Sequence, residues 1–174
     1  MDPHGSKETS RPAFKAAVLT VSDSTSRGER EDLSGPRCRE ILAGLGFECV
    51  ARAVVPDDVP AIAARLREWC DGGLVHLVVT TGGTGLSPRD VTPEATRLVI
   101  EREAPGFGEL LRMEGFRKNP RAVLSRGTAG LRNRTLIVNL PGSVRGVEDG
   151  LQTLAPILAH ALEIARGDAG RCGS

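Results

Sequence analysis

The sequence predicts an α/β protein with a largely parallel, covered sheet, and three observations carry that prediction. Short apolar runs rich in Val, Leu, Ile and Thr alternate with segments whose apolar residues recur every three or four positions, the pattern of strands joined by helices. The last two strand-like runs lie close together with no helical stretch between them, which leaves room for an antiparallel pair. Four strand ends are polar: Ser22-Asp23, Asp57-Asp58, the glycine stretch after Thr81, and Asn139 to Ser143. Open α/β sheets bind ligands outside the carboxyl ends of their strands, so this convergence predicts a site on one edge.

At 174 residues the chain is long enough for one domain with a full core. Residues 1–13 read as a flexible tail, 14–167 as the domain, and 168–174 as a short C-terminal tail. Phe14 to Val21 is the first strand, followed by a polar loop from Ser22 to Gly28. Ser34-Gly35-Pro36 opens a helix with Cys38, Ile41, Leu42 and Leu45 on one face, ended by Gly44 and Gly46. Phe47 to Val55 is the second strand, with Phe47, Cys49, Ala51, Ala53 and Val55 on one face. The helix after Pro56 buries Val59, Ile62, Leu66 and Trp69 and stops at Gly72-Gly73. Leu74 to Thr81 is the third strand. Thr92-Pro93 starts a helix that runs from Ala95 to Glu103, with Thr92 able to cap it. Pro105-Gly106 breaks the chain, Phe107 to Phe116 is a short helix, and Ala122 to Ala129 and Thr135 to Leu140 are the closing strands. The last helix carries Val147, Leu151, Leu154, Leu158 and Leu162 on one face, and Pro156 should kink or restart it.

Composition narrows the function. A net charge of +1 supplies no general field for nucleic acid or membranes, and 3% aromatics with no Tyr make base-stacking platforms a poor fit. No apolar run reaches membrane length and no signal-peptide pattern opens the chain. Cys38, Cys49, Cys70 and Cys172 lack metal-ligand spacing, and the first two fall on apolar faces. The expected location is the reducing cytoplasm. His4 lies in the tail, and His76 and His160 read as structural.

The chemistry gathers on the stretch from Thr80 to Glu94. Gly82, Gly83 and Gly85 permit positive φ and close approach to a ligand, just before a helix N-terminus that favours an anion. The loop is neither a P-loop, which needs Gly-Lys-Ser/Thr, nor a dinucleotide fingerprint, since Pro88 stands where the third glycine belongs. An unrelated phosphate-binding NTPase is disfavoured for lack of the P-loop lysine. Asp57 and Asp90 flank this region. Each can be a helix or turn cap. A carboxylate beside a phosphate is repulsive unless a cation lies between, so the pair also suits Mg²⁺ held together with a nucleoside triphosphate. Arg89 can be a phosphate clamp or a surface residue. No Ser-His-Asp or Cys-His pairing is evident, which points to catalysis by positioning and electrostatics.

The stretch from Thr80-Thr-Gly-Gly-Thr-Gly85 to Asp90-Val-Thr-Pro-Glu-Ala-Thr96 resembles the molybdopterin adenylyltransferases of the bacterial MogA type and the gephyrin G domain. Leu19-Thr-Val-Ser-Asp23, Ser34-Gly-Pro36, Val55-Pro-Asp57, Pro105-Gly-Phe-Gly108, Leu124-Ser-Arg126 and Asn139-Leu-Pro-Gly142 match in order, so the resemblance covers about residues 14 to 166. It implies a three-layer α/β/α fold, a homotrimer, and a molybdenum-insertion enzyme of the same pathway as partner. It implies that the molybdopterin phosphate attacks the α-phosphate of Mg-ATP, with ATP and molybdopterin as substrates and Mg²⁺ as the ion. By motif, Asp57 and Asp90 become the catalytic, metal-holding carboxylates, and Gly82, Gly83, Thr84 and Gly85 the nucleotide cradle. Ser22, Asp23, Ser34, Ser125, Asn139, Pro141, Gly142 and Ser143 line a shared pterin and nucleotide site. Many members carry a second Pro where this chain has Val144, and Ser143 resembles the related MoaB branch. A molybdopterin-binding or scaffold protein without catalysis is therefore the alternative.

Overall fold

The computed structural model describes residues 14–168. The expected tails, 1–13 and 169–174, lie outside the described residues. Asp168, expected in the C-terminal tail, is bonded to the end of the last helix: its N–H donates to Glu163 O and its carboxylate pairs with Arg166 at 2.8 Å.

Among the described residues the sheet has six strands: β1 (Lys15–Val21), β2 (Glu48–Val55), β3 (Leu77–Thr81), β4 (Arg102–Glu103), β5 (Ala129–Arg132) and β6 (Thr135–Leu140). Their order is β2-β1-β3-β6-β5-β4. The first four in that order are parallel, while β5 is antiparallel to β6 and β4 to β5. Helices cover both faces, giving three layers. On one face α2 (Ser34–Gly44), α5 (Pro105–Lys118) and α6 (Val144–Arg166) pack against Ala16, Val18, Leu77, Val79, Val138 and Leu140. On the other, α3 (Val59–Asp71) and α4 (Thr92–Arg97) pack against Ala17, Leu19, Val21, Val78 and Ile137. The alternation of Ala16 and Val18 with Ala17 and Leu19 is the two-residue period of a strand buried on both sides. In α6, Val147, Leu151, Leu154, Leu158 and Leu162 are buried, each burial contributing roughly 1.5–3 kcal/mol.

The parallel register pairs Val21 with Val55, Thr20 with Thr81, and Thr81 with Leu140. Four chain segments therefore leave the sheet side by side, at Ser22, Pro56, Gly82 and Pro141.

Several elements differ from expectation. The loop after β1 contains one helical turn, α1 (Asp23–Ser26), because the Ser22 hydroxyl caps it by accepting from Thr25 N at 3.2 Å. A register shift in the β1–β2 ladder at Ala16/Ala17 splits the β2 face. Cys49 packs on one core and Ala51 and Ala53 on the other. In α2, Cys38 and Leu42 are buried but Leu45 is exposed at the C-cap. In α3 the buried residues are Ile62, Ala63, Leu66 and Cys70, while Val59 and Trp69 are half-buried, with Arg65 5.8 Å over the indole. β3 begins at Leu77, and Leu74 is 54% exposed.

The helix expected from Ala95 to Glu103 is instead the short α4, because the sheet edge captures the chain beyond it. Glu101 N donates to Leu131 O and Ala104 N to Ala129 O, making Arg102–Glu103 a strand. Val91, not Thr92, is the N-cap residue of α4. Pro105 does not break the chain but opens α5, where its missing N–H costs nothing. The expected strand from Ala122 to Ala129 is a 3-10 turn (Pro120–Leu124) and an extended link, with β5 starting only at Ala129. Asn119 caps that turn by accepting from Arg121 N at 3.1 Å. α6 runs through Pro156 as one helix rather than restarting there.

Candidate active site

The glycine loop is built from backbone shapes that only glycine takes easily. Gly82 and Gly83 have φ of 97° and 64°. A Cβ on Gly82 would stand 2.3 Å from Val21 O, and one on Gly83 would stand 2.3 Å from Thr92 Oγ1 and 3.0 Å from Asp57 Oδ1. The buried Thr92 hydroxyl donates to Gly82 O at 2.9 Å, and Thr92 N donates to Gly83 O at 3.1 Å. Thr92 thus organises the loop from beneath instead of capping the helix.

Two cavities open at this edge. The first, about 580 Å³, lies between the glycine loop, α5, the 3-10 turn and the start of α6. Thr84, Gly85, Ser125, Asn139 and Pro141 line it alone. The second, about 480 Å³, holds Ser22, Ser34 and Asp57 in its wall. Gly82, Gly83, Asp90, Gly142 and Ser143 line both. At the neck between them two glycines meet: a Cβ on Gly142 would come within 3.0 Å of Gly82 Cα. Of the residues expected to line a shared pterin and nucleotide site, Ser22 and Ser34 thus face the second chamber, Ser125, Asn139 and Pro141 the first, Gly142 and Ser143 both, and Asp23 neither.

Asp23 stands behind Asp57. Its N–H donates to Asp57 Oδ2 at 2.9 Å, and its Oδ1 accepts from Asp57 N at 3.0 Å. Arg89 Nε and Nη2 both donate to Asp23 Oδ2, at 3.0 and 2.6 Å. Arg89 is thus tied to Asp23, and its guanidinium holds the Asp23 carboxyl below the usual range. Burial pushes the Asp57 carboxyl up, and the charges of Asp23 and Asp90 add to that. Asp90 closes its own turn: Oδ2 accepts from Ser87 N at 3.0 Å and its N–H donates to Ser87 O at 2.9 Å. Both the turn-closing and the site-lining readings of Asp90 apply.

Other candidates already have structural partners. Asn139 is buried, donating to Thr80 Oγ1 and Thr96 Oγ1 at 2.9 and 3.0 Å and accepting from Thr128 N at 3.2 Å. Ser34 Oγ pairs with Thr81 Oγ1 at 2.9 Å. Ser125 Oγ accepts from Gly127 N at 3.3 Å, and Ser143 Oγ caps α6 at Gly146 N at 3.0 Å. His76 lies at the opposite edge, where its Nδ1 accepts from Lys15 N at 2.9 Å.

The sequence pattern did not single out Asp32. It lines the second cavity, accepts from Gly35 N and Thr20 Oγ1 at 2.9 Å each, and so anchors the start of α2. Its position three residues before Gly35 is a capping signal that could have found it. Arg112, Lys118, Arg121 and Arg145 line the first cavity, and no motif marks them. Lys118 pairs with Asp149 there at 2.7 Å.

A parallel sheet edge with two adjoining chambers that share a glycine loop, the first lined by basic side chains and the second by carboxylates, has the architecture of an α/β protein with a small-molecule site at the carboxyl ends of its strands. A family model described as "Probable molybdopterin binding domain" matches residues 17–160. The chain belongs to that molybdenum cofactor biosynthesis family. A molybdopterin adenylyltransferase of Pyrococcus furiosus is 41% identical over 165 residues, covering 92% of this chain and 96% of that protein. The molybdenum cofactor synthesis protein cinnamon of Drosophila melanogaster is 40% identical over 152 residues, 87% of this chain, which spans 25% of that protein's length. The crystal structure of the molybdopterin biosynthesis enzyme MoaB from Thermus thermophilus superposes with a TM-score of 0.84 at 52% identity, covering 88% of this chain and 97% of that one.

Proposed function

We propose that the protein adenylylates molybdopterin from Mg-ATP, giving adenylyl-molybdopterin and pyrophosphate in molybdenum cofactor biosynthesis. The observation that carries this reading is the pair of adjoining chambers that share Gly82, Gly83, Gly142, Ser143 and Asp90 in their walls. Two ligands seated there lie side by side across a wall that is glycine at three positions, and such juxtaposition is what a direct transfer requires. A phosphate oxygen of molybdopterin forms a bond to the α-phosphorus of ATP. The bond from that phosphorus to the bridging oxygen breaks, and pyrophosphate leaves with the electron pair.

In this reading Gly82, Gly83, Thr84 and Gly85 let the phosphates approach the backbone. Ser22, Ser34, Ser125, Asn139, Pro141, Gly142 and Ser143 shape the two chambers, and Asp23 fixes Asp57 from behind. Asp57 and Asp90 stand in the wall of the same chamber, close enough that the Asp90 charge helps raise the Asp57 pKa, and such oxygen donors suit a hard cation. Asp57 and Asp90 would hold Mg²⁺, which when bound neutralises charge on the phosphoryl oxygens. The working unit is the domain 14–167 as a homotrimer, which delivers product to a molybdenum-insertion enzyme. The cytoplasm is its compartment, in keeping with Cys38, Cys49 and Cys70 as free thiols. Among the described residues no helix is long and apolar enough to cross a membrane.

A second reading, molybdopterin binding without catalysis, is favoured by Ser143-Val144, where many transferases of this type carry a second Pro in place of Val144. Pyrophosphate release from Mg-ATP plus molybdopterin separates the two, and wild-type protein that binds molybdopterin without releasing pyrophosphate selects the second. Within the first reading, Asp90→Asn keeps an acceptor for Ser87 N and hence the turn. It should fold and bind molybdopterin normally. The transition state loses the carboxylate charge, so pyrophosphate release should slow by about a hundredfold. A near-normal rate removes Asp90 from the catalytic set.

A further inference from the structure

We infer that Arg126, which lines neither cavity, is a positioning residue that holds the Asp90 turn in its working shape. Its side chain bonds both ends of the 85–90 segment. The Nε donates to Gly85 O at 2.8 Å and the Nη2 to Asp90 O at 2.6 Å. Its Nη1 pairs with the Glu94 carboxylate at the start of α4, and its backbone N–H donates to Thr84 O at 2.7 Å. One residue thus grips the chain at Thr84, Gly85, Asp90 and Glu94, spanning the whole turn that presents Asp90.

The guanidinium suits this task because its donors lie in one plane at fixed angles. A lysine ammonium can match the Glu94 charge but cannot reproduce the fork. Within the turn itself three bonds hold the shape: Ser87 N to Asp90 Oδ2, Asp90 N to Ser87 O, and Arg89 N to Ser87 Oγ at 3.3 Å. The Asp90 carboxylate lies over Gly85, 2.8 Å from where a Cβ would stand. Drift of either carbonyl would carry Asp90 out of the wall that both chambers share. Arg126 also continues from Ser125, so it fastens the far wall of the first chamber to the glycine loop.

The inference rests on the adenylyl-transfer reading for its catalytic consequence, but not for its structural one. The test is amide hydrogen exchange on Arg126→Lys, with pyrophosphate release and molybdopterin binding measured on the same preparations. The amides of Ser87 and Asp90 should exchange at least about tenfold faster while β3 and β6 keep wild-type protection. The kcat should fall by on the order of a hundredfold, as for a small misplacement of a catalytic group, with molybdopterin affinity unchanged. Glu94→Gln, which leaves the carbonyl bonds intact, should show a smaller shift of the same kind, and it decides the matter if Arg126→Lys does not fold. Unchanged turn exchange overturns the inference, as does exchange that rises equally in β3 and β6, or a loosened turn with a wild-type rate. Loosened turn amides in a protein whose wild type releases no pyrophosphate uphold the grip of Arg126 and sink the transferase reading instead.

Discussion

Asp23 and Asp57 exchange backbone hydrogen bonds, yet their acidities move in opposite directions. Arg89 lowers the Asp23 pKa, so Asp23 contributes stability above the ordinary value of 3.8 that is lost as pH falls through its depressed folded value. Burial raises the Asp57 pKa, so the folded state holds its proton longer than the unfolded chain. Stability from that proton is present below 3.8 and is lost as pH rises through the raised folded value. Asp57 therefore costs stability at neutral pH when no cation faces it. Asp57→Asn keeps the acceptor for Asp23 N and removes the charge. It should melt higher than wild type at pH 7 without Mg²⁺, with the difference vanishing near pH 3. Thermal melts across that range check this, and a lower melting temperature at pH 7 would refute the burial argument. The carboxylates themselves were legible because Asp57 follows Pro56 and Asp90 precedes Thr92-Pro93, beside a glycine loop. Their supports were not: Arg89 meets Asp23 across 66 positions and Arg126 meets Gly85 across 41. No local pattern announces such a pairing.

Among the elements, those with strong periodicity were legible: β1, α2, α3, β6 and the whole of α6 sit within a few residues of where the apolar pattern put them. Misreadings fell where a distant partner or a turn overrides the local apolar pattern. Leu98 to Ile100 continues a helical pattern, but the β5 edge takes the chain over at Glu101. Val123 has strand propensity, yet it is 54% exposed in a 3-10 turn that Asn119 and Pro120 impose. Pro156 remains a local flaw inside α6, since it removes a donor and crowds the preceding turn. It is exposed, so replacing it opens no cavity. Pro156→Ala should stabilise the protein by about 2 kcal/mol, the helix penalty of proline less the entropy it removes from the unfolded chain. Chemical denaturation with an unchanged m-value measures this, and a destabilised variant would show that the helix has adapted to the proline.

At the scale of the whole molecule, α5 is thinly covered. Only Gly108 in it is buried, and Met113 and Phe116 are half exposed near Val123 and Leu124 of the adjoining turn. An apolar surface of that kind suits a protein partner, in keeping with the proposed trimer. Light scattering at micromolar concentration should give about three times the 18.4 kDa of one chain, and a mass of one chain removes the proposal.

The glycine neck has a further consequence for anyone wishing to block this protein. Gly82 and Gly142 leave only a thickness of main chain between the chambers. A single compound with a head for each chamber and a short tether over the neck would turn its second contact into an intramolecular event. The effective concentration of that second head would be of millimolar order. Two fragments, each too weak to matter alone, could then combine into one potent inhibitor. A side chain at Gly82 would strike the Val21 carbonyl and one at Gly142 would press on Gly82, so resistance by filling either position would come at the expense of the fold of the glycine loop itself.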